Sequence, residues 1–269
     1  MGSLVPFVFT AKQNIDLLEL SDIERAGCAP ELLLVDEPGS RDFGLIMNYT
    51  NQLAFGGETN MGMPLWVLLD CGILPSAVVG FGLRREDVSD ELATELEVPD
   101  GYEGLVPVSE YCACPTLEPA CVSGFSLQAQ LTGMGLGTRT KALALAVYGS
   151  RSQVGVTQFD NPSIRVHSKF GAMKITATRP SIHTHAMNSF VYRLELPARD
   201  VLLAMAGGDF SSTKQIEVPA GQAWSFDPSS EADHARLAGL ISDRQPVYII
   251  PPGWRAVGDG CRLELIVGH

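Results

Sequence analysis

Lysine is scarce in this chain, and one lysine stands where it could act as a nucleophile. Lys169 lies among apolar residues at the end of the alternating stretch 163–168. Enclosure of an amine in an apolar pocket lowers its pKa, and a neutral amine attacks a ketone to form a Schiff base. The alternative is a lysine at a strand end that keeps its ammonium group in water.

Two carboxylates follow residues that favour turns, so each could stand at the rim of a pocket. Glu58 comes directly after Gly56-Gly57, and Glu118 stands between Leu117 and Pro119. A carboxylate in such a place can orient a substrate or move a proton. Both residues are therefore candidate catalytic acids, and a turn acid that faces water is the alternative.

Other polar side chains are candidates for substrate binding. An arginine holds a carboxylate through two parallel hydrogen bonds, and this would be the role of Arg165 or Arg139. His167 and Tyr148 lie close to these residues in the sequence and complete the predicted substrate-binding set.

His183-Thr184-His185 places two imidazoles on one face of a strand, a spacing that can hold a metal ion. Together with Pro219-Ala220-Gly221, this stretch resembles the metal-binding motifs of cupins. The cupin glutamate is missing after His185, and Trp224 occupies the position of a further histidine. We therefore expect no metal and no cofactor, and we assign His183 and His185 to the wall of a pocket.

The charge balance limits the partners of the chain. Lysine and arginine number 19 against 31 aspartates and glutamates, for a formal net charge of −12. Such acidity disfavours nucleic acids and anionic membranes and leaves a small-molecule substrate. The first residues lack the pattern of a secretory signal, and six cysteines without export signals are typical of reduced thiols. The sequence thus predicts a cytoplasmic protein, which we expect to be a homo-oligomer.

Hydrophobic periodicity predicts strands along most of the chain. Short apolar runs bounded by glycine, proline or serine are typical of buried strands. We predict a single β-rich domain, residues 1–269, in which a closed or cone-shaped antiparallel β-barrel carries a few short helices. Residues 84–104 are the most acidic stretch and are interpreted as a surface insertion, and a domain boundary near residue 180 is the alternative. Predicted strands include residues 43–49, 120–128, 141–148, 163–168 and 215–218, and predicted helices are residues 21–26, 89–97, 200–206 and 231–240.

Gly133-Met134-Gly135-Leu136-Gly137 is a glycine run of the kind that binds phosphates between a strand and a helix. Because residues from Thr138 onward are predicted to form another strand, the context of a dinucleotide-binding fold is missing. We interpret the run as a mobile loop over the mouth of a pocket.

Two stretches carry a resemblance to a known family. Residues 23–38 (IERAGCAPELLLVDEP), followed by FGLIMNYT and FGGETN, resemble the opening of acetoacetate decarboxylase-like proteins. The stretch LALAVYGSRSQVGVTQFDNPSIRVHSKFGAMKI resembles the family's lysine segment. The resemblance implies a β-barrel with an interior pocket, Lys169 in the lysine segment and Glu58 at the functional glutamate. Ser168 stands where the family has a second lysine.

The leading hypothesis is an acetoacetate decarboxylase-like lyase that acts on a small or medium keto substrate by decarboxylation, aldol, dehydration or cyclisation chemistry. A non-covalent binding protein or cyclase for a hydrophobic metabolite is the alternative. A degenerate, metal-dependent cupin is the third hypothesis.

Overall fold

A computed structural model describes residues 3–25, 29–55, 75–129, 135–180, 188–211, 213 and 216–268. The chain divides into two compact units, Met1–Ser150 with Arg199–Asp209, and Arg151–Ala198 with Phe210–His269. The chain therefore leaves the first unit after Ser150 and returns to it for one short segment. No helix in the described part of the chain is long and apolar enough to span a membrane.

The first unit contains a mixed sheet in the order β2-β1-β3-β4-β5. β1 and β2 pair in parallel, and the other neighbouring strands pair antiparallel. Register shifts interrupt the β3–β4 and β4–β5 pairings. The strands are β1 (Val5–Thr10), β2 (Glu31–Leu34), β3 (Ala77–Arg84), β4 (Leu105–Pro115) and β5 (Cys121–Ala129).

The first unit contains five described helices, of which the second and the fourth pack against this sheet. The described ones are α1 (Leu20–Arg25), α2 (Ser40–Phe55), α3 (Asp90–Glu95), α4 (Leu136–Val147) and α6 (Arg199–Gly207), and 3-10 turns cover Lys12–Leu17 and Arg85–Asp87. α2 contributes Phe43 and Met47 to a core that includes Phe7 and Phe9 of β1. The Phe7 and Phe43 rings meet edge to face, with centroids 5.0 Å apart.

The second unit contains an antiparallel sheet in the order β6-β8-β7-β10-β11-β9. Phe159, Phe190 and Phe226 form the centre of its aromatic core, with ring centroids 4.7 and 4.8 Å apart. The elements are β6 (Ser152–Gln158), α5 (Ile164–His167), a 3-10 turn (Ser168–Phe170), β7 (Met173–Arg179), β8 (Ser189–Glu195), β9 (Gly221–Phe226), α7 (Glu231–Ser242), β10 (Val247–Val257) and β11 (Gly260–Gly268).

The predicted closed β-barrel is wrong. In the described residues, the first and last strands of each order do not pair, so each sheet is open. A barrel requires the terminal strands to close the ladder, which neither sheet does.

Several predicted strands are helices instead. Residues 141–148 belong largely to α4, residues 43–49 lie in α2, and residues 163–168 include α5. A short apolar run fits a buried helix as well as a buried strand, and the leucines and alanines of α4 have high helix propensity. In α2, the buried residues Phe43, Ile46, Met47 and Thr50 follow the period of a helix.

Other predictions agree with the structure. The predicted helices 21–26, 89–97, 200–206 and 231–240 correspond to α1, α3, α6 and α7. Ser89 and Ser230 cap α3 and α7 by accepting hydrogen bonds from the backbone N–H groups of Leu92 and Asp233. The strand predicted at 215–218 is wrong in its described part, 216–218, and β9 begins three residues later.

Candidate functional site: the glycine run at the start of helix α4

The described part of the glycine run, residues 135–137, lies at the start of a helix, and Gly133 lies outside the described residues. β5 ends at Ala129 and α4 begins at Leu136. Gly135 is the residue before the helix and adopts a left-handed backbone conformation, with φ 65° and ψ 18°. Since side chains with a Cβ are strained in this region, glycine is the residue that allows the chain to turn here into α4.

The start of α4 leaves its first backbone donors without a partner inside the helix. Thr138 and Arg139 donate their N–H groups to the Gly135 carbonyl oxygen, each at 3.0 Å. The N–H groups of Leu136 and Gly137 have no acceptor within the helix, because helix geometry leaves the first donors unpaired. Gly135 supplies no side-chain cap. A left-handed residue followed by helical residues forms a concavity of N–H groups that binds anions.

The charge near this helix start also favours an anion. The positive end of the helix dipole lies at the N-terminus. The first turn of α4 carries no acidic side chain, whereas α2 has Asp42 in its first turn and α6 has Asp200. A carboxylate would compete with an external anion, and in α4 that competitor is missing.

Burial and side-chain hydrogen bonds fix α4 in the first unit. Every residue from Thr140 to Val147 is fully buried. The hydroxyls of Ser109 on β4 and Thr140 share a hydrogen bond of 2.7 Å. At the other end, the Tyr148 hydroxyl donates to the Ala113 carbonyl oxygen at 2.8 Å. A helix start fixed in this way presents its N–H groups in one direction.

α6 packs beside α4 and is fixed at both ends. Near the start of α4, Arg139 Nε donates to the Ala206 carbonyl oxygen at 2.9 Å, and its guanidinium lies 4.8 Å from the Phe81 ring centroid. At the opposite end, Arg199 pairs with the carboxylate of Glu19. The Glu19 N–H in turn donates to the Val147 carbonyl oxygen at 2.8 Å.

Lys141 lies one turn into α4 and is completely buried. Burial disfavours its ammonium form and lowers the pKa of Lys141 well below its ordinary value. The buried lysine that sequence reasoning looked for therefore exists, at position 141 rather than 169.

Lys169 lies outside any strand. It belongs to the 3-10 turn Ser168–Phe170, is partly exposed, and holds its ammonium nitrogen 5.7 Å from the Phe210 ring centroid. This placement differs from the expected burial inside a barrel, and it removes the basis for Schiff-base chemistry at this residue.

Arg165 and His167 lie on α5 in the second unit. The Arg165 guanidinium stacks 4.4 Å from the Trp254 ring centroid, and its Nε donates to the Trp254 carbonyl oxygen at 3.1 Å. His167 is buried against Tyr192, with ring centroids 5.5 Å apart. Burial also raises the pKa of Tyr192.

Of the remaining predicted residues, three lie in the first unit and three lie outside the described part of the chain. Arg139 and Tyr148 flank the two ends of α4 in the contacts given above. Glu118 is exposed in the turn between β4 and β5. Glu58, His183 and His185 lie outside the described residues.

Sequence reasoning missed the site because it assigned a strand from Thr138 onward. The signal was present in the glycine run, whose alternate glycines at 133, 135 and 137 follow a strand that was predicted at 120–128. A helix over residues 136–147 would have supplied the missing context.

Comparisons with known proteins place acetyltransferases among the solved structures that match. A GNAT-family acetyltransferase from Desulfovibrio desulfuricans is 12% identical, covers 72% of this chain and all of its own, and has a TM-score of 0.39. An aminoglycoside 6'-acetyltransferase of type Ii is 15% identical over 61% of this chain and 94% of its own, with a TM-score of 0.38. An acetyltransferase from Salmonella typhimurium with its cofactor acetyl-CoA is 14% identical over 57% and 87%, with a TM-score of 0.36. No family model and no curated protein matches the chain.

These findings correct the resemblance drawn from the sequence. The resemblance implied a closed β-barrel with an interior pocket, whereas the described sheets are open. The assignment to that family is therefore wrong, as are the lyase, the Schiff base and the keto-substrate barrel. The alternatives of a hydrophobic-metabolite barrel and a cupin are also wrong. Within the described residues, no group of three potential metal ligands comes together.

Proposed function

We propose that the chain is an acyltransferase that binds the diphosphate of an acyl-coenzyme A at the start of α4. The observation that carries the proposal is the left-handed, uncapped Gly135 between β5 and α4. A helix start with exposed N–H groups and a positive dipole is a phosphate-binding element. Glycine at 137 lets the backbone approach a ligand closely.

Other common phosphate-bearing cofactors fit this element less well. A dinucleotide-binding fold needs a sheet of parallel strands, whereas β3, β4 and β5 pair antiparallel. A phosphate-binding loop of nucleotide triphosphatases needs lysine after its last glycine, and here Thr138-Arg139 follows Gly137. Coenzyme A carries a diphosphate that backbone N–H groups alone can hold. The sequence led us to expect no cofactor, and we now propose coenzyme A in place of that expectation.

The proposed reaction is an acyl transfer to a nucleophilic amine. The amine nitrogen bonds to the thioester carbonyl carbon, the carbon–sulfur bond breaks, and coenzyme A leaves as its thiol. The amine gives up one proton, which balances the thiol that is released. Backbone N–H groups hold the cofactor's diphosphate. This contact is distant from the thioester, but it fixes the cofactor and so orients the thioester for the reaction.

We take small cationic amines as the acceptor class. A net charge of −12 attracts cations and repels nucleic acids. Acetyl-CoA is the first donor to test, because the Salmonella protein is named with that cofactor, and an aminoglycoside is the first acceptor, because another neighbour is named for it.

Isothermal titration with acetyl-CoA tests the cofactor site. Gly137→Asp puts a carboxylate in the first turn of α4, where it suits the helix dipole but repels a diphosphate. We expect this variant to lose at least about tenfold in affinity. Gly239→Asp, which adds the same charge at an exposed glycine of α7 with open space around its Cβ position, is the control.

The outcome that rejects the site is equal affinity in Gly137→Asp and the unaltered chain, or no binding of acetyl-CoA by the unaltered chain. Thermal unfolding of each variant shows whether it is folded. Release of the coenzyme A thiol on addition of amines, followed with a thiol reagent, then tests the transfer itself. Binding without thiol release from any amine would reduce the proposal to a cofactor-binding protein.

We also propose a homo-oligomer in the cytoplasm. The described cysteines at 112, 114, 121 and 261 form no disulfide with one another, which suits a reducing compartment. β9 ends the strand order of the second sheet and carries no charged residue, so it is an edge on which two acidic copies could pair. Light scattering gives the oligomeric state, and a monomer would contradict the expectation.

A further inference from the structure

We infer that copies of this chain associate head to tail, with the acidic segment 84–104 of one copy against a basic sheet face of the next copy. The inference goes beyond the proposed acyl transfer and does not depend on the anion site. It rests on the proposed homo-oligomer, for which it names a contact other than the β9 edge.

The two units of the chain differ in charge. The first unit contains 8 lysines and arginines against 22 aspartates and glutamates, whereas the second unit contains 11 against 9. Two first units therefore repel each other, and the first unit of one copy attracts the second unit of another. A contact between unlike surfaces of two copies is heterologous, so it gives a head-to-tail arrangement.

The acidic segment lies between β3 and β4 of the first unit. Residues 84–104 contain eight acidic residues and two arginines. Both arginines are already paired, Arg84 with Glu31 at 2.8 Å and Arg85 with Asp90 at 3.7 Å. All eight acidic residues are exposed, namely Glu86, Asp87, Asp90, Glu91, Glu95, Glu97, Asp100 and Glu103. Most of this negative charge therefore faces water, where a cation of another molecule can reach it.

The basic face lies on three neighbouring strands of the second unit, β6, β8 and β7. Tyr192 of β8 faces the core, where its ring centroid lies 5.5 Å from that of His167. Because side chains alternate along a strand, Val191 and Arg193 lie on the opposite face of the sheet. The register of the two ladders adds residues of β6 and β7 to this face, namely Val154, Val156, Lys174, Ala177 and Arg179.

The basic face offers two cations with apolar side chains between them. Lys174 and Arg179 are exposed, and neither forms an ion pair with another described residue. Arg193 already pairs with Glu195 at 3.0 Å, so the inference uses only the other two cations. Val156 lies in the row between them and is 47% exposed. Exposed apolar side chains with polar residues at their rim are typical of a surface that another protein covers.

Charge complementarity favours a second copy of this chain as the partner. Every copy carries both the acidic segment and the basic face, so the two complementary surfaces are present at equal concentration. A nucleic acid or an anionic membrane would also offer negative charge to the basic face, but the acidic first unit of the same chain repels both.

Charge reversal on both surfaces tests the contact. The face variant is Lys174→Glu with Arg179→Glu, and the segment variant is Glu86→Lys with Glu95→Lys. Sedimentation velocity of the full chain at about 50 mM and about 1 M salt measures self-association. We expect high salt to weaken it, and each variant alone to associate at least about tenfold more weakly than the unaltered chain at low salt. An equal mixture of the two variants should associate again, because the reversed face of one meets the reversed segment of the other.

Arg244→Glu is the control for Lys174→Glu alone. Both residues are exposed in the second unit, and both substitutions change the net charge by the same amount. Arg244 lies outside the three strands of the basic face. We therefore expect Lys174→Glu to weaken association and Arg244→Glu to stay within about threefold of the unaltered chain. Thermal unfolding shows whether each variant is folded.

The results separate this inference from the proposed oligomer. An oligomer that neither salt nor the variants weaken would show that the copies pair elsewhere, as at β9, and the head-to-tail contact would be wrong. A mixture of the two variants that stays dissociated while the unaltered chain associates would also reject it. A monomer at low salt and at every concentration would overturn both the oligomer and the inference. None of these results bears on acetyl-CoA binding, which the titration tests.

Discussion

Tyr111 on β4 and Gly124 on β5 approach each other so closely that no side chain fits at position 124. A Cβ atom there would lie 1.6 Å from the Tyr111 hydroxyl oxygen and 2.1 Å from the ring carbon that carries it. Tyr111 is itself 1% exposed, so its ring is enclosed by the core of the first unit. The β4–β5 pair, which leads into the glycine run, therefore depends on a glycine at this position.

Gly124→Ala tests this relationship. The added methyl group must displace a buried ring, so we expect the free energy of unfolding to fall by about 2–3 kcal/mol. Urea unfolding measures the change. Gly239→Ala is the control, because nothing lies within 4 Å of a Cβ at that exposed helix position, and it should raise stability by about 1 kcal/mol. A loss below about 0.5 kcal/mol in Gly124→Ala would contradict the close approach.

The Ser109–Thr140 hydrogen bond allows a double-mutant cycle. Both hydroxyls are buried and 2.7 Å apart, and they join α4 to β4. Ser109→Ala and Thr140→Val each leave a buried hydroxyl without this partner, at a cost of about 1–3 kcal/mol. The double variant should cost about 1 kcal/mol less than the sum of the single ones. Strict additivity in urea unfolding would show that the bond contributes nothing to stability.

The strand before the site was predictable from the sequence, and the helix was not. Its apolar pattern predicted a strand over residues 120–128, which corresponds to β5, because buried strands impose such patterns on a sequence. The run from Leu143 to Tyr148 was assigned to a strand because its apolar side chains are continuous. In the structure α4 is buried all round from Thr140 to Val147, so this part of its sequence carries no exposed polar face to reveal the helical period.

Prediction of the site depended on whether the residues from Thr138 onward were assigned to a strand or to a helix. Gly135 needs a helix after it to become an anion-binding element, and a strand after it would make the same glycines an ordinary loop. Lys169 was favoured because it is flanked by apolar residues, but local flanks do not determine the burial of a side chain. Lys141 is the lysine that the tertiary structure encloses, and its neighbours in the sequence, Thr140 and Ala142, give no sign of it.

The chain leaves the first unit, returns to it for one segment and leaves it again, and this path predicts that the two units unfold cooperatively. Residues 199–209 belong to the first unit although residues on either side of them belong to the second. Neither unit can be cut out as one continuous stretch, so we propose that residues 1–269 unfold as a single domain. Calorimetry should show one transition in which the calorimetric and van't Hoff enthalpies agree. Two separated transitions would show that the units are independently stable.

Lys141 gives the stability of the protein a dependence on pH. The pKa of Lys141 is lowered in the folded state from its ordinary value of 10.5. At pH values between these two pKa values, the amine is protonated in the unfolded chain and neutral in the folded chain. Stability therefore rises with pH across this window. Urea unfolding at pH 7, 8.5 and 10 measures this rise in the unaltered chain. In Lys141→Met the rise should be smaller, because the variant has no amine to titrate at this position. Lys174→Met, at an exposed lysine, should keep the rise of the unaltered chain. An equal rise in Lys141→Met and the unaltered chain would show that the pKa of the Lys141 amine does not change on folding.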